Sequence, residues 1–232
     1  MHIAIITAME EELTTINPIL PNQTVIFHPV YKITQTNYNN HKITIIVSKI
    51  GKAQSSSATT LLIEKFNPDV ILNFGTAGGI NQAEVGNIIL SQTAAYHDVD
   101  VTGFNYPLGT LPMQPSIFTS TNNTIKANFI TQITSEIKEV KTGLVATGDS
   151  FINNKNKVEE IKTMYQNTIA LDMEAASIAQ IALQYNKDFI FIKKISDKAD
   201  ETATTSFKSE VTSINETALK TIKHLLTSLE PL

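Results

Sequence analysis

The chain contains no cysteine and no arginine among its 232 residues. The first absence excludes disulfides, thiolate metal sites and a cysteine nucleophile. The second leaves lysine to supply all 18 basic side chains. Enzymes that take phosphate as a substrate usually clamp it with bidentate guanidinium groups, and none is available here. Lysines and helix N-termini could substitute. The net charge of −4 provides no positive field for nucleic acid or a membrane surface, so neither is expected as a partner. Long apolar runs are also missing. The first, Ile3 to Ile6, is too short for a signal h-region or a membrane span, which leads us to expect a soluble, cytoplasmic protein. The glycine-rich NFGTAGG (73–79) lacks both the GxGxxG spacing and a following Gly-Lys-Ser/Thr, so it is neither a dinucleotide fingerprint nor a Walker loop.

The apolar content of 42% supports a sizeable core. Strands are expected over residues 2–7, 24–36, 42–48, 69–74, 88–101, 142–147, 168–171 and 188–195. Helices are expected over 9–17, 51–66, 126–137, 155–165 and 174–185, with a last one from about 206 to 229. Residues 102–116, with three prolines and two glycines, read as a loop. Strands alternate with helices and no composition break interrupts them. The expected fold is α/β, three layers with a central twisted mixed sheet, in one domain over residues 1–232.

Three acidic residues follow apolar runs: Glu12 after HIAIIT, Glu174 after TIALDM and Asp197 after FIFIKKIS. Strand carboxyl ends share one rim of an open α/β sheet, so such residues can meet in one crevice. Three carboxyl groups there suit acid/base chemistry on a sugar or polyol. Each also has a plainer role. Asp197 could cap a helix or turn, and Glu174 could favour a helix dipole. Glu10, Glu11 and Glu12 could form one solvated face. Asp172 competes with Glu174 for ribose hydroxyls. His97 to Asp100, in YHDVD, suits a structural or interface role better than a metal shell. No metal and no cofactor is expected.

Several blocks in order and spacing resemble the 5′-methylthioadenosine/S-adenosylhomocysteine nucleosidase family. They are AMEEEL (8–13), IGKAQSS (50–56), PDVILNFGTAGG (68–79), VGNIILS (85–91), YHDVDVT (96–102), GDSFI (148–152), LDMEAASIAQ (171–180) and ISDKAD (195–200). The resemblance implies the nucleoside phosphorylase/hydrolase fold, a homodimer, and adenine thionucleosides as small-molecule substrates. It implies that Asp197 protonates adenine N7 and that Glu12 holds the attacking water. Glu174 with Met173 would bind the ribose. Phe151 would stack on adenine and the Ile152 backbone would read its edge. Gly78, Thr76 and Ser196 would also contact the nucleoside. Met9, Ile50 and Phe207 would line the 5′-alkylthio pocket, and Pro112 with Met113 would close it from a partner subunit.

Three departures stand out. Lys193 replaces an arginine that helps position the water in the family. Thr76 replaces a serine. GFNYPLG (103–109) replaces the usual AFGYEYG. Two other readings compete with hydrolysis. One is a purine nucleoside phosphorylase, which the missing arginine disfavours. The other is a catalytically weak nucleoside-binding paralogue, which the three acids disfavour.

Overall fold

The computed structural model describes residues 1–121, 129–213 and 215–229. In chain order the strands are β1 (His2–Thr7), β2 (Thr24–Ile26), β3 (Lys32–Tyr38), β4 (His41–Val47), β5 (Val70–Gly79), β6 (Ile88–Ser91), β7 (Thr93–Tyr96), β8 (Phe118–Thr119), β9 (Val140–Lys141), β10 (Leu144–Thr147), β11 (Thr168–Asp172) and β12 (Asp188–Asp197). The helices are α1 (Glu10–Ile16), α2 (Lys52–Phe66), α3 (Phe129–Glu136), α4 (Lys155–Met164), α5 (Ala175–Gln184), α6 (Ala203–Glu210) and α7 (Glu216–Ser228).

All of these strands join one mixed sheet that forks at β5. One arm runs β2-β3-β4-β1-β5, with β1 parallel to both β4 and β5. β12 lies parallel to β5 along its length and continues to β6 and β9. β1 pairs with β5 only as far as Asn73, whereas β5 runs on to Gly79. The freed edge is taken at Gly78 and Gly79 by β11, antiparallel, which leads on to β10, β7 and β8. Successive side chains of the central strands point to opposite faces. Ile3, Ile5, Leu72, Phe74, Ile190 and Ile192 pack with α1, α3 and α7. Ala4, Ile6, Ile71, Phe189 and Phe191 pack with α2 and α5. These strands are apolar on both faces because both are covered, which is the expected three-layer arrangement.

Four expectations are corrected. The strand expected over 69–74 does not end at Phe74; it runs on through GTAGG to Gly79 as the second half of β5. Residues 88–101 are not one strand. The Ser91 hydroxyl bonds the Thr93 amide and carbonyl, breaking the ladder at Gln92 and sending β6 and β7 to different arms. Beyond Tyr96, the Asp100 carboxylate takes the Thr102 amide and hydroxyl, which starts a 3-10 turn. Residues 24–36 are interrupted between β2 and β3, where His28 Nδ1 accepts the Tyr31 amide beside Pro29. The last helix is two, α6 and α7, separated around Ser213. The buried Lys194 ammonium holds that junction through the Glu210 carbonyl at 2.6 Å and the Ser213 side chain. Of the helix expected over 126–137, residues 126–128 lie outside the described residues.

Candidate active site

The fork leaves the Thr76 amide of β5 without a strand on one side, and Glu12 fills the gap. Its Oε1 accepts the Thr76 amide at 2.8 Å and the Thr76 hydroxyl at 3.0 Å. Its Oε2 accepts the Ala8 and Met9 amides at 2.9 and 3.2 Å. A side chain at Gly75 would collide, since a Cβ there would lie 2.8 Å from Glu12 Oε1. Glu12 is buried, while Glu10 and Glu11 are exposed. Burial pushes its pKa up, against the pull of the Lys193 charge and of its hydrogen-bond donors.

Two acids come from the end of β11. Asp172 is committed to protein partners: the Thr147 hydroxyl at 2.6 Å, the Ala175 amide at 3.0 Å and the Lys193 ammonium at 2.7 Å. Among the described residues Glu174 commits only Oε1, which accepts the Gly51 amide at 2.9 Å. Burial first, and then the Asp172 charge, push its pKa up to about 7, against the pull of Lys193. Between the two candidates for ribose binding, Glu174 is the one with an oxygen not taken by the protein.

The last acid ends β12. Asp197 is buried, and its Oδ2 accepts the Ser196 hydroxyl at 2.8 Å. Its Oδ1 accepts the Ala199 amide at 2.9 Å. Burial raises its pKa too. Ala199 takes a left-handed conformation, φ +52°, to present that amide. Gly78 stands against the same carboxylate, where a Cβ would come within 3.0 Å of Oδ1.

Glu12, Glu174 and Asp197 wall one cavity of about 470 Å³, and Asp172 reaches its lining as well. Met9, Ile50, Thr76, Gly78, Phe151, Ile152, Met173, Ser196 and Phe207 line it as well. The Phe151 and Phe207 rings meet edge to face at 5.8 Å. Three expected residues lie outside the wall. Lys193 sits beneath it, 1% exposed, ion-paired with Asp172. Burial alone would lower the Lys193 pKa, but the charges of Asp172, Glu174 and Glu12 raise it. Pro112 and Met113 are exposed on the 102–116 segment, outside this cavity within one chain. The sequence reading missed the pairing of Asp172 with Thr147 and Lys193. It also missed Thr204 and Lys208 of α6 in the wall; no local pattern marks them. A larger cavity of about 700 Å³ is lined by residues including Asn81, Gln82, Gln92 and Asn167, and among the described residues its wall has no carboxylate, lysine or histidine for acid/base work.

In YHDVD, Asp98 pairs with Lys52 at 2.5 Å and accepts the Asp149 amide, while Asp100 caps its turn. His97 is buried against Gly148. Among the described residues, no three histidine, aspartate or glutamate side chains converge as metal ligands.

The phosphorylase superfamily model matches residues 2–229. The 5′-methylthioadenosine/S-adenosylhomocysteine nucleosidase of Buchnera aphidicola is 36% identical over 228 residues, covering 97% of this chain and 96% of its own. The Streptococcus pyogenes S-adenosylhomocysteine nucleosidase, solved with 5-methylthiotubericidin, superposes with a TM-score of 0.92 at 30% identity, over 100% of this chain and 98% of that one. The Neisseria meningitidis nucleosidase, solved with methylthio-immucillin-A, gives 0.90 at 30% identity, over 98% and 99%. Sequence and fold agree along the full length, and the chain belongs to the phosphorylase superfamily, within its 5′-methylthioadenosine/S-adenosylhomocysteine nucleosidase family.

Proposed function

We propose that this chain, acting as one domain over residues 1–232, hydrolyses the N-glycosidic bond of 5′-methylthioadenosine and S-adenosylhomocysteine, releasing adenine and the 5-thio-ribose. The observation that carries the reading is the convergence of Glu12, Glu174 and Asp197 in one cavity with an apolar end at Met9, Ile50 and Phe207. Cleaving this bond builds positive charge on the ribose as electrons move into the purine, as in other glycoside hydrolysis. Asp197, its pKa raised by burial, delivers a proton to adenine N7 and makes the base a neutral leaving group. Glu12 holds and deprotonates the water that attacks the anomeric carbon. Glu174, poised at about 7, binds the ribose hydroxyls with Met173, and its ionised form stabilises the developing cation. Phe151 stacks on the base and the Ile152 backbone reads its edge. Gly78 lets the ligand approach Asp197. Ser196 holds that carboxylate, and Thr76 contacts the sugar. Lys193 sets the field under the acids through Asp172.

The reading includes a homodimer, in which Pro112 and Met113 close the partner's pocket. It is supported by the exposed apolar side chains of that segment: Phe104 at 78%, Met113 at 95%, and Leu108 and Ile117 at 42% each. A cytoplasmic location belongs to the same proposal; among the described residues no helix is long and apolar enough to cross a membrane.

The test is adenine release from 5′-methylthioadenosine in phosphate-free buffer. Release with free methylthioribose supports the hydrolase. Release only on adding phosphate would make the protein a phosphorylase, and none under either condition would remove the proposal.

A further inference from the structure

A groove of about 430 Å³ adjoins the cavity of the three acids and shares Ala8, Met9 and Ile50 with it. Beyond those residues the groove is lined by Glu10, Glu11, Val30, Lys32, Val47 and Lys49. Two of its charges neutralise each other, because Lys32 pairs with Glu10 at 2.7 Å. Two remain: among the described residues, neither the Lys49 ammonium nor the Glu11 carboxylate forms an ion pair. Lys49 is also held in an unusual conformation. Its φ is +69°, a region that residues other than glycine, asparagine and aspartate rarely enter. The Ser48 hydroxyl fixes it by donating to the Lys49 carbonyl at 2.8 Å, and the Ser48 amide ties the turn to Thr7. Backbone strain of this kind persists only where the surroundings over-determine it.

On the nucleosidase reading, a 5′-methylthio group ends at Met9 and Ile50 and needs nothing further. A 5′-thioether carrying an α-amino acid continues past them and brings a carboxylate and an ammonium. We propose that the groove is the subsite for this zwitterionic end, with Lys49 facing the carboxylate and Glu11 the ammonium. The subsite rests on the nucleosidase reading and distinguishes its two substrates.

The experiment compares KM and kcat for three substrates: 5′-methylthioadenosine, S-adenosylhomocysteine and 5′-butylthioadenosine, whose tail is similar in length but neutral. Lys49→Asn keeps a residue that tolerates the left-handed backbone, and Glu11→Gln keeps the shape of the acid. Each is expected to raise KM for S-adenosylhomocysteine about two- to fivefold, the range of an exposed ion pair, while the two neutral-tailed substrates and kcat stay unchanged. Raising salt to about 0.5 M should weaken S-adenosylhomocysteine alone. Equal shifts for all three substrates, or no shift for S-adenosylhomocysteine, overturn the subsite while leaving the nucleosidase in place. An unaltered chain that releases no adenine from 5′-methylthioadenosine removes the nucleosidase reading, and the subsite with it.

Discussion

Lys193 spends its charge on Asp172, 2.7 Å away, at a position where both side chains are 1% exposed. Removing one member of a buried pair strands the other, at a cost of about 3–5 kcal/mol. Lys193→Met should lower stability by that order in a denaturant titration, and adding Asp172→Asn should recover part of the loss. Asp197→Asn should cut turnover by roughly 10²–10⁴-fold, because an amide cannot deliver the proton. Binding of 5′-methylthioadenosine, followed by calorimetry, should survive. Glu174 adds a pH signature. Its pKa of about 7, raised from 4.5, lets the native chain keep a proton that the unfolded chain has released. Its contribution to stability therefore falls as pH rises from about 4.5 to about 7. Denaturant midpoints across that window should slope less in Glu174→Gln; an unchanged slope would sink the assignment. At this scale the three acids were legible because each follows an apolar run. The Asp172–Lys193 pair was not, because residues 21 apart on different arms of the fork share no spacing rule.

Among the elements, β5 illustrates how local signals mislead. Three glycines in five residues suggest a turn, yet the segment stays in the strand by pairing with β12, and Gly75 and Gly78 are there because carboxylates leave no room for a Cβ. Gly75→Ala should displace Glu12. Turnover should fall more than stability does, with overpacking costing about 1–3 kcal/mol. Circular dichroism beside an adenine-release assay would separate the two losses. Most other strands and helices were legible from apolar periodicity. The caps Asn154 and Asn215, whose side chains accept first-turn amides of α4 and α7, emerge only from the structure. The split between α6 and α7 was not, because it is fixed by Lys194 reaching over from β12.

The layers of the whole molecule followed from alternating strands and helices, but the fork did not. It depends on β5 outrunning β1, a comparison of strand lengths across the sheet. If the exposed apolar segment around Met113 covers a second copy, sedimentation should give twice the chain mass, and Met113→Asp should halve it and weaken turnover. A single-chain mass with full activity would count against the dimer.

The pairing of β5 with β12 sets an order in time. A ribosome delivers about 5–20 residues per second, N-terminal regions first. Glu12 and β5 therefore emerge well before β12, which ends at Asp197. Until then β5 has an open edge and the proposed reaction lacks Asp197, its acid. On the proposed mechanism, the nascent chain can hold Glu12 in place and still be inert. Docking of one late strand closes the sheet and switches on the chemistry together.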